Sequence, residues 1–96
     1  MEPYSDIEQR LIALKPFLAK KYKVKNIGIF GSWSEGTQSA SSDLDILIEL
    51  DEPLGWEFFD LKDFLESEFN RSVDLVTRSA LKNQLKDKIL SQTRFV

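Results

Sequence analysis

Ninety-six residues are enough for one globular unit with a modest core, and too few for a catalytic domain joined to a dedicated substrate domain. Residues 1–96 are therefore expected to form a single domain whose acceptor is recognised by another chain or at an open face. Thirteen basic against sixteen acidic residues give a net charge of −3, which argues against direct nucleic-acid binding, because that relies on clustered Lys and Arg. Neither cysteine nor histidine is present, so disulfides, thiolate or imidazole metal sites and Ser-His or Cys-His catalysis are excluded, leaving carboxylates and hydroxyls as the available chemistry.

In chain order, the polar start Met1-Glu2-Pro3-Tyr4-Ser5-Asp6 and the lack of any apolar run of roughly 18 residues predict a cytoplasmic protein without membrane contact. Ser5 with Glu8 reads as a capping box, followed by Ile7, Leu11, Leu14, Leu18 and Tyr22 at helical spacing. Pro16 should kink or restart that helix, since it lacks a backbone donor. Val24–Phe30 is rich in β-branched and aromatic residues and stops at Gly31, the pattern of a strand ending in a tight turn. The segment Gly31–Ser42 reads as a loop, mobile until a ligand orders it.

A second strand, Asp43–Leu50, places Leu44, Ile46, Ile48 and Leu50 on one face and Asp43, Asp45, Leu47 and Glu49 on the other. After the break Asp51-Glu52-Pro53-Leu54-Gly55, a helix carries Leu54, Phe58, Leu61, Leu65 and Phe69 along one stripe, with Phe59 and Phe64 also expected mainly in the core. Asn70-Arg71-Ser72 turns into a strand, Val73–Val76. Ser79 is expected to cap a last helix with Leu81, Leu85 and Ile89 inward, ending near Leu90, with Phe95-Val96 as a frayed or docking tail. Lys82, Lys86 and Lys88 form a solvated face or a grip for phosphate or an acidic partner patch. This order of elements predicts an α/β (α+β) fold: a small mixed β-sheet backed by helices, with some parallel pairing across the helical crossover.

The chemistry concentrates where Gly31-Ser32 is followed, after ten intervening residues, by Asp43-Leu44-Asp45. Gly31 lets the backbone approach a ligand closely, and Ser32 offers a hydroxyl and an N–H to an anion. If Ser32 caps a short turn through Trp33-Ser34-Glu35, the free N–H groups of that turn point to the same place, and a triphosphate fits there. Asp43 and Asp45 share a strand face roughly 6.6 Å apart at Cα. Two carboxylates so placed can hold a pair of hard divalent ions for in-line phosphoryl displacement. Asp74 projects from the opposite side to Val73 and Leu75, and can complete the metal shell and draw a proton from an attacking hydroxyl. Trp33 either stacks on a base or covers the triphosphate, or simply packs.

The segments GSWSEGTQSASSDLDILIEL and VDLVTRSALKNQLKDKIL resemble the minimal nucleotidyltransferases of the DNA polymerase β-like superfamily, above all the antitoxin (MntA-like) members paired with HEPN-domain toxins. The resemblance runs from about Leu11 to Leu90 and is most specific at Gly31, Ser32, Asp43, Asp45 and Asp74. It implies the polymerase β-like nucleotidyltransferase fold and a Mg²⁺-dependent transfer of AMP from ATP to a tyrosine hydroxyl of a partner HEPN ribonuclease toxin, which is thereby silenced. In that reading Asp43 and Asp45 hold two Mg²⁺ ions, Asp74 holds one of them and serves as base, and Gly31 and Ser32 grip the triphosphate. One position departs from the pattern: many relatives carry Arg where this chain has Glu35, and a carboxylate beside a triphosphate repels it unless it points away or meets a metal.

Two other readings stay open. A binding-only antitoxin would keep the fold and neutralise its partner by contact, as Glu35 and the short chain suggest. Transfer to a small molecule such as an aminoglycoside is weaker, because superfamily members of that kind carry an added helical domain to hold the acceptor.

Overall fold

The structure, a computed structural model, describes residues 4–37 and 43–96 and, of Glu35, the backbone alone. Most of the expected loop after Thr37 therefore lies outside the described residues. Helix α1 spans Tyr4–Tyr22 and buries Ile7, Leu11, Leu18 and Tyr22, the spacing seen in the sequence. Ser5, expected as its cap, is already helical. Pro16 lies inside α1 without dividing it. It is exposed, and so is Ile12, four residues earlier, whose carbonyl loses a partner to the proline; on that side water can take the donor's place while Leu11 and Leu18 hold the helix down.

Strand β1, Val24–Phe30, runs antiparallel to β2, Leu44–Leu50, with Phe30 opposite Asp45, Ile29 opposite Ile46 and Gly28 opposite Leu47. Between them sits the single helical turn α2, Ser32–Glu35. Helix α3, Glu57–Phe69, then crosses over to β3, Val73–Thr77, which pairs with β2 in parallel. A 3₁₀ turn at Arg78–Ala80 leads to α4, Asn83–Gln92, and β4, Arg94–Phe95, closes antiparallel on the other side of β1. The sheet order is β3-β2-β1-β4, a mixed sheet as its residue pattern predicted.

One sheet face carries the core. Ile27 and Ile29 of β1, Leu44, Ile46 and Ile48 of β2, and Val73 and Leu75 of β3 join Leu11 and Leu18 of α1 and Leu61, Leu65 and Phe69 of α3 in one buried cluster. Burying each such side chain contributes about 1.5–3 kcal/mol, which decides which way the strands face. The opposite face begins with the row Phe30, Asp45, Asp74 and continues with Gly28, Leu47, Val76. Leu47 is fully buried although it lies outside the core cluster, so this face is also partly covered. Part of the cover is the end of α4: a Cβ on Gly28 would stand 2.5 Å from Thr93 Cγ2, so only glycine lets Thr93 sit there. Thr93 is in turn fixed to the helix end, its hydroxyl donating to the Ile89 carbonyl at 2.7 Å.

Three expectations for the second half of the chain are corrected. Ser79 does not cap the last helix; it sits in the 3₁₀ turn, closed by the Leu81 N–H on the Arg78 carbonyl, and Lys82 occupies the cap position of α4. With α4 starting at Asn83, Leu81 precedes it, Leu85 is 50% exposed and the helix buries no residue. The apolar spacing was that of a helix, but the first of its three positions lies in extended backbone. Phe59, expected in the core, is 56% exposed, because the inward stripe of α3 passes through Phe58, Leu61, Leu65 and Phe69 and leaves it outside. The tail does dock: β4 pairs with β1, and the Val96 N–H donates to the Ile27 carbonyl at 3.0 Å.

Candidate active site

At the exit of β1 the chain turns on Gly31, whose φ of 71° and ψ of −148° fall in a region essentially closed to other residues. Space imposes the same demand, since a Cβ there would lie 2.0 Å from Asp45 Oδ2. The turn and the carboxylate are thus in direct apposition. Gly31, rather than Ser32, takes the cap position, and no side chain caps the turn. Ser34 fastens it instead, its N–H and hydroxyl both donating to the Gly31 carbonyl, at 3.1 and 2.9 Å. Ser32 is the first residue of α2 and is partly exposed.

Trp33 settles the question its position raised: it is 1% exposed and belongs to the core cluster, so it anchors α2 and has no face for a base. The Arg71 guanidinium lies over its ring, 4.7 Å from the centroid. In the sequence Arg71 stands only as part of a turn. Here it links the glycine turn to the segment that leads into β3, a contact that no local pattern announces.

Asp45 and Asp74 are direct register partners on parallel strands and share the face opposite the core. Asp43 lies one residue before β2 and is exposed, and the Leu44 N–H, donating to the Ser72 carbonyl at 2.9 Å, ties this start to that of β3. The Glu66 carboxylate steadies the same corner by accepting from the Val73 N–H at 2.9 Å. Burial raises the Asp45 carboxyl, and the charges of Asp74 and Asp43 raise it further, to about 6. Asp45 therefore lies within charge range of both other acids.

They do not enclose a cation: among the described residues no three acidic side chains are gathered tightly enough for that. Their arrangement is an open shelf of hard oxygen donors around a carboxylate whose ionisation is opposed by its neighbours. That fits Mg²⁺, which binds through one or two carboxylates and takes its remaining ligands from phosphates and water. Glu35, the position that departs from the family pattern, has its side chain outside the description.

A mixed sheet with helices behind it and a glycine turn set against paired acids defines the class, the minimal nucleotidyltransferase fold. The solved "putative minimal nucleotidyltransferase", 24% identical, superposes with a TM-score of 0.84 over 97% of this chain and 95% of that one. The chain belongs to the nucleotidyltransferase domain family, which matches residues 11–96. It is similar to a Methanocaldococcus jannaschii protein named "putative protein adenylyltransferase", 43% identical over 84% of this chain and 95% of that protein. It is also similar to the protein adenylyltransferase MntA of Thermococcus cleftensis, 36% identical over 95% and 93% of the two chains. A chain in the crystal structure of a toxin-antitoxin with AMP-PNP is 30% identical, with a TM-score of 0.76 over 92% of this chain and 70% of that one.

Proposed function

We propose that this protein is a Mg²⁺-dependent antitoxin adenylyltransferase that transfers AMP from ATP to a tyrosine hydroxyl of a partner HEPN ribonuclease toxin. The observation that carries the reading is the Asp45–Asp74 register pair with Asp43 within charge range, set against a glycine turn that admits no side chain. The relatives named above as adenylyltransferases, and the similar chain solved with AMP-PNP in a toxin-antitoxin, support the nucleotide and the partner class.

Asp43, Asp45 and Asp74 would hold Mg²⁺, which when bound offsets the charge of the triphosphate. Gly31 and Ser32 bring backbone and hydroxyl donors to the phosphates. Asp74 accepts the proton of the attacking tyrosine hydroxyl. The tyrosine oxygen then bonds to the α-phosphorus while the bond from that phosphorus to the bridging oxygen breaks, and pyrophosphate leaves with that oxygen and the bond's electron pair. Incubating the chain with Mg·ATP and the folded toxin, then weighing the toxin and mapping its modified residue, tests the reading. Each transfer should add one AMP, on tyrosine, and Asp43→Ala with Asp45→Ala should abolish it. An unmodified toxin would refute it.

A further inference from the structure

The start of α3 and the residue before it carry an exposed apolar pair, joined to the interior through Phe58, whose ring meets that of Phe59 edge-on at 5.7 Å. Trp56 is 85% exposed and Phe59 56% exposed, with their ring centroids 6.0 Å apart. A single exposed apolar residue is ordinary, but two large rings in contact on one surface mark a binding site, since aromatic side chains dominate the energetics of protein interfaces. Glu57, Asp60 and Asp63, all exposed, belong to the same stretch of chain. Asp60 and Asp63 follow Trp56 and Phe59 by four residues each and so share their side of the helix. Lys62, the basic residue in this stretch, is paired with Glu66 at 3.7 Å.

We propose that this acid-rimmed aromatic surface docks the protein acceptor of the reaction, through a basic surface of that partner with an apolar cleft; the inference rests on the transfer reading above. Charge decides among occupants. Nucleic acid and anionic lipid are repelled by these three carboxylates. A second copy of this chain, meeting the patch with its own, would set acid against acid. A basic protein surface gains from both the rim and the rings.

Position supports the same role. Asp45 lies at the start of β2, about 16 Å by strand rise from that strand's other end at Leu50, and the patch comes after that end, where α3 begins, so a partner can be held there without covering the acids.

The test titrates the purified HEPN partner onto the full chain by calorimetry, using Trp56→Ala with Phe59→Ala, and separately Asp60→Lys with Asp63→Lys. The aromatic pair should weaken binding about 30-fold or more. The charge pair should slow association and flatten its salt dependence. Both variants should stay folded and keep Mg·ATP affinity, because the altered residues are exposed; the charge pair should lower the thermal midpoint slightly, since Asp60 lies in the first turn of α3. Undiminished binding by both variants, where the parent binds and modifies the partner, overturns the docking surface and leaves the transfer reading intact. Weakened binding in the variants, with no AMP transfer even by the parent, supports the surface and refutes the transfer. A parent chain that does not bind the partner overturns both, and a self-associated parent that the aromatic variant dissociates assigns the patch to a second copy and overturns the basic partner.

Discussion

Replacing Asp45 with Asn should stabilise the free protein while destroying its activity. A carboxyl with a higher pKa in the folded than in the unfolded chain keeps its proton longer when folded. Its contribution is therefore most favourable at low pH and is lost as pH rises from 3.8 to about 6, with the loss complete above that. At about 1.36 kcal/mol for each tenfold change in proton affinity, the full gap corresponds to about 3 kcal/mol. Asp45 is partly open to solvent, and screening reduces this to about 1–2 kcal/mol. Asn keeps the shape beside Gly31 and removes the charge that Asp74 and Asp43 oppose. At pH 7.5 the variant should thus unfold about 5–10 °C above the parent. At pH 4.5, where the native carboxyl is mostly protonated, the advantage should shrink to about a third. Thermal unfolding by circular dichroism at both pH values measures it. An Asn variant no more stable than the parent at pH 7.5, or equally stabilised at both pH values, would show that the acids do not repel one another as their placement requires.

Mg²⁺ should relieve the same repulsion: at ten to thirty times its dissociation constant it should add about 1.4–2 kcal/mol to the parent at pH 7.5. Little of that gain should remain at pH 5 or in the Asp45→Asn protein, which calorimetric melts with and without the ion would show. Gly31→Ala should cost about 1–3 kcal/mol from backbone strain alone and should push the Asp45 carboxylate aside, so urea unfolding should shift and AMP transfer should fall together. Gly28→Val should push Thr93 and Arg94 off β1 at a cost of about 1–3 kcal/mol, seen as faster amide exchange at Val96, whose N–H bonds to Ile27. Trp33→Ala should cost about 3–5 kcal/mol by emptying a core position, with the loss read from denaturant midpoints.

The alternation of apolar and acidic residues in β2 and β3 was legible because a half-covered strand leaves no other way for those side chains to face. β1 was equally clear, its bounds fixed by its β-branched run and by Gly31. The C-terminal third was less so. Leu81, Leu85 and Ile89 have helical spacing whether or not a helix includes all three, and tertiary context placed Leu81 in extended backbone after a 3₁₀ turn. Gly28 gave no sign of its role, since its neighbour Thr93 is distant in sequence and meets it only once β4 has folded back. The same holds for Arg71 over Trp33, a contact between two turns that only the finished sheet brings together. The pairing of Asp45 with Asp74 was expected as a shared face, while their opposition in register depended on how far α3 carries the chain.

That opposition limits how the gene can change length. Side chains alternate along β3, so losing a single codon from the 70–72 turn, with the strand still paired to β2, would set Leu75 against Asp45 and drive the Asp74 carboxylate in beside Leu44. One missing residue there would damage the hydrophobic interior and the chemistry together, so indels in this chain should survive only where no strand reads its phase from them.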